Sequence, residues 1–115
     1  MNAETLPSES SYAFIRETIG RAEVVHVFGE LDLLAAPELE ALLETIAAGG
    51  DAIVLDLNAC SYFDSSIIAV LIRTLKRVGE RLTIVIPEEH PTRRILEICN
   101  LDGVLPIEPS IGGAE

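Results

Sequence analysis

One short stretch constrains the fold more than any other: Ala52-Ile53-Val54-Leu55-Asp56-Leu57. A nearly unbroken apolar run bounded by Gly49-Gly50 reads as a central strand buried on both faces. Such a strand needs neighbouring strands and helices long enough to cover the sheet, and the flanking patterns supply both. Ala36 to Ala48 reads as a helix, with Pro37 in its first turn, where a missing N–H costs nothing. Leu39, Leu42, Leu43, Ile46 and Ala47 recur at the spacing of one helical face, and Gly49 ends it. A second helix is expected from about Ser65 to Val78, with Ile68, Leu71, Ile72 and Leu75 as its core stripe. A third spans Thr92 to Cys99, with Ile95, Leu96 and Cys99 on one face and Asn100 at the left-handed position beyond it.

The remaining strands follow from short β-prone runs. Tyr12–Ile19 and Val24–Phe28, joined at Gly20-Arg21, read as a hairpin. Leu82–Ile86 is closed by Pro87, and Val104–Ile107 is the last short strand. Asn58 to Phe63 reads as a loop. The order is β-β-α-β-α-β-α-β, an α/β fold with a mixed sheet of four to five strands and right-handed crossovers. A chain of 115 residues suits one domain. It is placed at residues 11–108, between a loose segment at 1–10 and an irregular tail at 109–115.

Composition narrows the function. The formal charge is −11, and Lys76 is the only lysine. That balance counts against nucleic acid, whose phosphates need clustered cations. The longest strongly apolar run, Ile67–Ile72, is far below the roughly 18 residues of a membrane span. No basic and apolar leader opens the chain, so a cytoplasmic location is expected. Cys60 and Cys99 form no metal-ligand spacing and read as buried free thiols. No GxSxG, GxxxxGK[ST] or GxGxxG motif occurs, and His26 and His90 lie in no nucleophile signature. No enzyme, metal or cofactor is therefore expected. A phospho-accepting receiver domain would use Asp56 at a strand end, but it also needs a lysine after its last strand, and Lys76 lies within a helix.

Two strand-to-helix junctions remain. In Phe63-Asp64-Ser65-Ser66-Ile67-Ile68, Asp64 or Ser65 can cap a helix, which is enough to explain their presence. The same placement holds a hydroxyl at an exposed turn, open to phosphorylation, which would add about −1.5 to −2 charges. In Phe28-Gly29-Glu30-Leu31-Asp32, followed by Ala36-Pro37, Gly29 permits a tight turn, and the carboxylates of Glu30 and Asp32 fall on the same edge as Ser65.

Together these residues resemble the STAS domain of bacterial anti-sigma factor antagonists. Gly29-Glu30-Leu31-Asp32 matches that family's G-E-[LI]-D turn. Ala36-Pro37 matches its small-Pro helix start. Phe63-Asp64-Ser65-Ser66 matches the first half of its Asp-Ser-[ST]-Gly-[LIV]-Gly motif, and Arg93 to Leu101 resembles its third helix. The likeness spans residues 12–107.

The resemblance implies a binding protein rather than an enzyme. Unphosphorylated, it would bind an anti-sigma factor that is also a serine kinase, freeing the sigma factor. The kinase, which holds the ATP and Mg²⁺, would phosphorylate Ser65, with Ser66 as second choice. Phosphorylation would end binding, and a PP2C-type phosphatase would reset it. Glu30, Asp32, Asp64, Ser66 and Ile67 would form the docking surface. Ile67-Ile68-Ala69 replaces the family's Gly-[LIV]-Gly, which would place the Ile67 side chain at that surface. A second copy of the chain is another candidate partner. The alternative is a constitutive STAS module, a scaffold or lipid-transport partner subunit, in which Ser65 is only a cap.

Overall fold

The computed structural model describes residues 11–111. The expectation for residues 1–10, and that for 112–115, lie outside the described residues. Strand β1 (Tyr12–Ile19) turns at Gly20, whose φ is +60°, into β2 (Ala22–Leu31). Then come α1 (Ala36–Ala47), β3 (Ala52–Phe63), α2 (Ser65–Val78), a short 3-10 turn at Gly79–Arg81, β4 (Leu82–Val85), α3 (Pro91–Ile98) and β5 (Ile107–Glu108). The five strands lie in the order β1-β2-β3-β4-β5. The β1–β2 pair is antiparallel and the other pairs are parallel.

Each parallel strand is added on the same side of its predecessor. Right-handed crossovers taken repeatedly in one direction keep all three helices on one sheet face. The core sits in that interface. Leu39 and Leu43 of α1, Ile67 and Leu71 of α2 and Leu96 of α3 pack with Val25, Leu55 and Ile84 of the sheet. On the opposite face a smaller cluster joins Ala22, Val24, Val54 and Val85, with Ile19 and Ile111 against it. The strand carrying the apolar run is thus buried on both sides over Ile53–Leu55.

Several boundaries differ from the sequence reading. Asn58–Phe63 is not a loop but the second half of β3, paired with a longer β2 through register shifts at His26/Phe28 and Gly29/Glu30. Those irregularities break the alternation that makes a strand visible in sequence. Gly29 lies inside β2 at φ +89°, and a Cβ there would meet the Ser11 carbonyl oxygen at 2.0 Å. It serves a bulge and a close backbone approach rather than a turn. Val104 and Leu105 belong to a turn closed by Leu105 N–H donating to Leu101 O at 2.9 Å, so β5 begins only at Ile107.

The helices are better matched. After α3, Asn100 takes φ +59° as expected. Leu101 N–H donates to Leu96 O and Asn100 N–H to Glu97 O, the paired bonds of a Schellman ending. Cys99, however, is exposed and only Cys60 is buried. The buried stripe of the short α3 is Thr92 and Leu96, which leaves the cap residue Cys99 outside it.

Candidate functional site

The site begins with two parallel neighbours. Leu31 of β2 is in register with Phe63 of β3, so Asp32 and Asp64 each follow the last paired residue of adjacent strands. Adjacent strands lie about 4.8 Å apart, so the two junctions emerge side by side. Each then opens a helix.

At the second junction Asp64 is the N-cap of α2, with extended backbone at φ −106°, ψ −172°. Its Oδ1 accepts from Ser66 N–H at 3.0 Å and from the Ser66 hydroxyl. Its carbonyl accepts from Ile67 and Ile68. The Ser66 hydroxyl, with the backbone donors behind it, holds the Asp64 carboxyl below its ordinary range. The adjacent serines therefore differ. Ser66 is half-buried and engaged, whereas Ser65 is exposed, at the first position of the helix. Among the described residues the Ser65 hydroxyl has no hydrogen-bond partner.

At the first junction Glu30 and Asp32 are exposed. Asp32 accepts twice from its own loop: Leu34 N–H donates to its Oδ1 at 3.0 Å, and Ala35 N–H to its carbonyl at 2.9 Å. Ala35, where a capping hydroxyl would sit, leaves α1 without a side-chain cap. Glu38, in the first turn of α1, accepts from the Tyr12 hydroxyl at 2.8 Å. That bond and the nearby carboxylates hold the Tyr12 hydroxyl above its ordinary value.

The strand register brings the segments carrying Glu30, Asp32, Asp64, Ser65 and Ser66 to the same end of two adjacent strands. Ile67 is the correction. Its side chain is 0% exposed and lies in the core against the sheet. The buried stripe of α2 is Ile67, Val70, Leu71, Thr74 and Val78, rotated from the expected one. With Asp64 fixed as the cap, the third helical residue turns inward, so Ile67 presents nothing to a partner.

One polar cluster was not anticipated. On the sheet face away from the helices, His26 of β2 bonds Asp56 of β3 through Nδ1 at 2.8 Å and Glu17 of β1 through Nε2 at 2.5 Å. The Glu17 bond, then that to Asp56, raises the His26 pKa above its ordinary 6.5. The strand register was the missing signal: it sets His26 opposite Asp56 and leaves Glu17, paired with Val24, diagonally across β1 within reach of the ring. His90 caps α3, its Nδ1 accepting from Thr92 N–H. Among the described residues no group of three or more His, Cys, Asp or Glu could hold a metal ion, and no helix is long and apolar enough to cross a membrane.

Known proteins share this fold. Residues 16–107 match the STAS_2 family, described as Mlab, STAS domain. The anti-sigma-F factor antagonist RsfB of Mycobacterium tuberculosis is 32% identical over 81 residues, 69% of this chain. The match spans 66% of that relative, just under two thirds of its length. The crystal structure of an anti-sigma factor antagonist from Mycobacterium paratuberculosis superposes with a TM-score of 0.82 at 28% identity, covering 95% of each chain. The phosphorylated form of the Bacillus cell fate determinant SpoIIAA shares the fold, with a TM-score of 0.64 at 21% identity over 89% of this chain and 96% of its own. By fold, by motif and by the match over residues 16–107, the chain belongs to the STAS-domain family.

Proposed function

We propose that the chain binds an anti-sigma factor through the edge formed by the Asp32 loop and the Asp64–Ser66 turn, and that phosphorylation of Ser65 ends the binding. The observation that carries the switch is the difference between the two serines. Ser65 is exposed and uncommitted, whereas Ser66 is held by Asp64. The partner is an anti-sigma factor with serine kinase activity. It transfers the γ-phosphoryl group of ATP to Ser65 Oγ, the hydroxyl proton leaves, and ADP is released. A PP2C-type phosphatase restores the hydroxyl. Both reactions belong to cytoplasmic regulators of transcription.

The chemistry suits a reversible surface switch. A phosphate at the first position of α2 meets the free N–H groups and positive end of a 14-residue helix. The fold therefore tolerates it. Its charge instead adds to Asp64, Asp32 and Glu30 at the docking edge, where it opposes desolvation and repels an acidic partner group.

The test is intact mass after incubation with ATP and a purified anti-sigma kinase of the source organism, for wild type, Ser65→Ala and Ser66→Ala. One phosphate is expected on wild type and on Ser66→Ala, and none on Ser65→Ala. If Ser65→Ala also leaves partner release unchanged, the chain is a constitutive STAS module and the switch is wrong.

A further inference from the structure

The loop between β2 and α1 places two large apolar side chains in water. Leu33 is 69% exposed and Leu34 is 81% exposed. Neither is needed to close the core, which Leu31 and Ala35 fill on either side. The loop is not slack. Asp32 fixes it from within, through the Leu34 N–H to Oδ1 bond and the Ala35 N–H to carbonyl bond. Both leucines are thus held outward on a turn of defined shape, and presenting an apolar group in a fixed geometry lowers the ordering cost of docking.

Their surroundings state what they would meet. The register Leu31↔Phe63 sets this loop beside the Asp64–Ser65 turn. Glu30, Asp32 and Glu38 flank the leucines in sequence, and Asp64 lies on the neighbouring junction. No lysine or arginine occurs between Arg21 and Arg73, the segment that contains both junctions. An apolar pair flanked by carboxylates, in sequence and on the neighbouring junction, fits a protein surface with an apolar pocket bordered by basic side chains. It does not fit an anionic membrane or a nucleic acid.

We propose that Leu33 and Leu34 are the apolar anchors of the docking edge, entering such a pocket on the anti-sigma factor, with Asp32 as the residue that positions them. This rests on the proposed function. It assigns the contact area to the leucines and leaves the release signal to Ser65.

The test uses the full chain against each purified serine-kinase anti-sigma factor of the source organism, by calorimetry, with thermal melting as the control. Leu33→Ser and Leu34→Ser are each expected to weaken binding on the order of tenfold, the loss from exposing one interfacial leucine. Melting should be unchanged, because neither side chain is packed. As kinase substrates both variants should show a raised KM at near-normal kcat, the signature of lost docking. Asp32→Ala should weaken binding more than Asp32→Asn, since both lose the carboxylate that faces the basic border while an amide oxygen can still accept from Leu34 N–H. Unchanged affinity in Leu33→Ser/Leu34→Ser, with wild type binding normally, overturns this inference alone. Binding of no anti-sigma factor by wild type overturns the proposed function and this inference with it. A wild-type dimer that the double variant abolishes, with anti-sigma binding intact, would assign the pair to self-association and also overturn it.

Discussion

Ser65 and Ser66 differ only in position, and position decides what each hydroxyl can do. Asp64 caps α2 through the N–H and hydroxyl of Ser66, so this pair carries local stability. Asp64→Ala is expected to cost about 1 kcal/mol, whereas Ser65→Ala should stay within about 0.5 kcal/mol of wild type. Urea titration of both variants checks this, and equal losses would mean that Ser65 is a structural residue after all. Gly29 is a sharper case. Its φ of +89° and the Ser11 carbonyl at 2.0 Å from any added Cβ leave no room for alanine. Gly29→Ala should destabilise the chain by at least about 1–3 kcal/mol and disturb the β1–β2 pairing, seen as lost amide-exchange protection. The importance of Gly29 was visible in the sequence, but its role was not. A turn and a strand bulge both call for a glycine, and only the pairing partner tells them apart.

At the level of elements, two long-range ties join pieces that the sequence lays far apart. Arg81, the last residue of the 3-10 turn before β4, donates to the Ala47 carbonyl at the end of α1 and to the Gly49 and Asp51 carbonyls of the loop that follows, at 2.7–3.1 Å. The Ala47 carbonyl is one that a helix end leaves without a partner. Arg81→Ala should cost roughly 1.5–3 kcal/mol, and Arg81→Lys should recover little because an ammonium cannot fork; denaturation midpoints decide it. The second tie is His26, which joins β1, β2 and β3 through Glu17 and Asp56. Donation to both carboxylates requires both ring N–H groups, hence the charged imidazole. Its pKa is raised in the folded chain, so the contribution is complete below the ordinary 6.5 and is lost as pH rises through the higher folded value. Stability of wild type relative to His26→Gln should therefore fall with rising pH across that window. A flat difference would show that the ring does not carry the charge. Helix positions were legible because their apolar spacing is local. The second half of β3 was hidden, because register shifts scatter its buried positions Leu57, Cys60 and Phe63. The tie at His26 was hidden for the same reason, since it depends on which strand lies beside which.

For the whole molecule, the order of strands and helices gave the fold class directly, because alternating units with short connections leave few topologies open. The two motif segments gave the edge. What local pattern could not supply was which side of each helix faces in, and so Ile67 was placed at the docking surface when it belongs to the core. The net charge of −11 carries its own consequence. Association with a basic docking pocket should be steered electrostatically and should slow as salt shortens the screening length from about 10 Å at 0.1 M to about 3 Å at 1 M. Stopped-flow association across that range tests it, and a salt-independent rate would place the contact on neutral surface. The central claim is that charge at Ser65 controls the partner. Its most direct measurement is the affinity of a purified anti-sigma factor for the chain prepared with serine or with phosphoserine at position 65. The account predicts binding at least about tenfold weaker for the phosphorylated form, a change of about 1.4 kcal/mol, with the same melting temperature. Equal affinity for the two forms would contradict it.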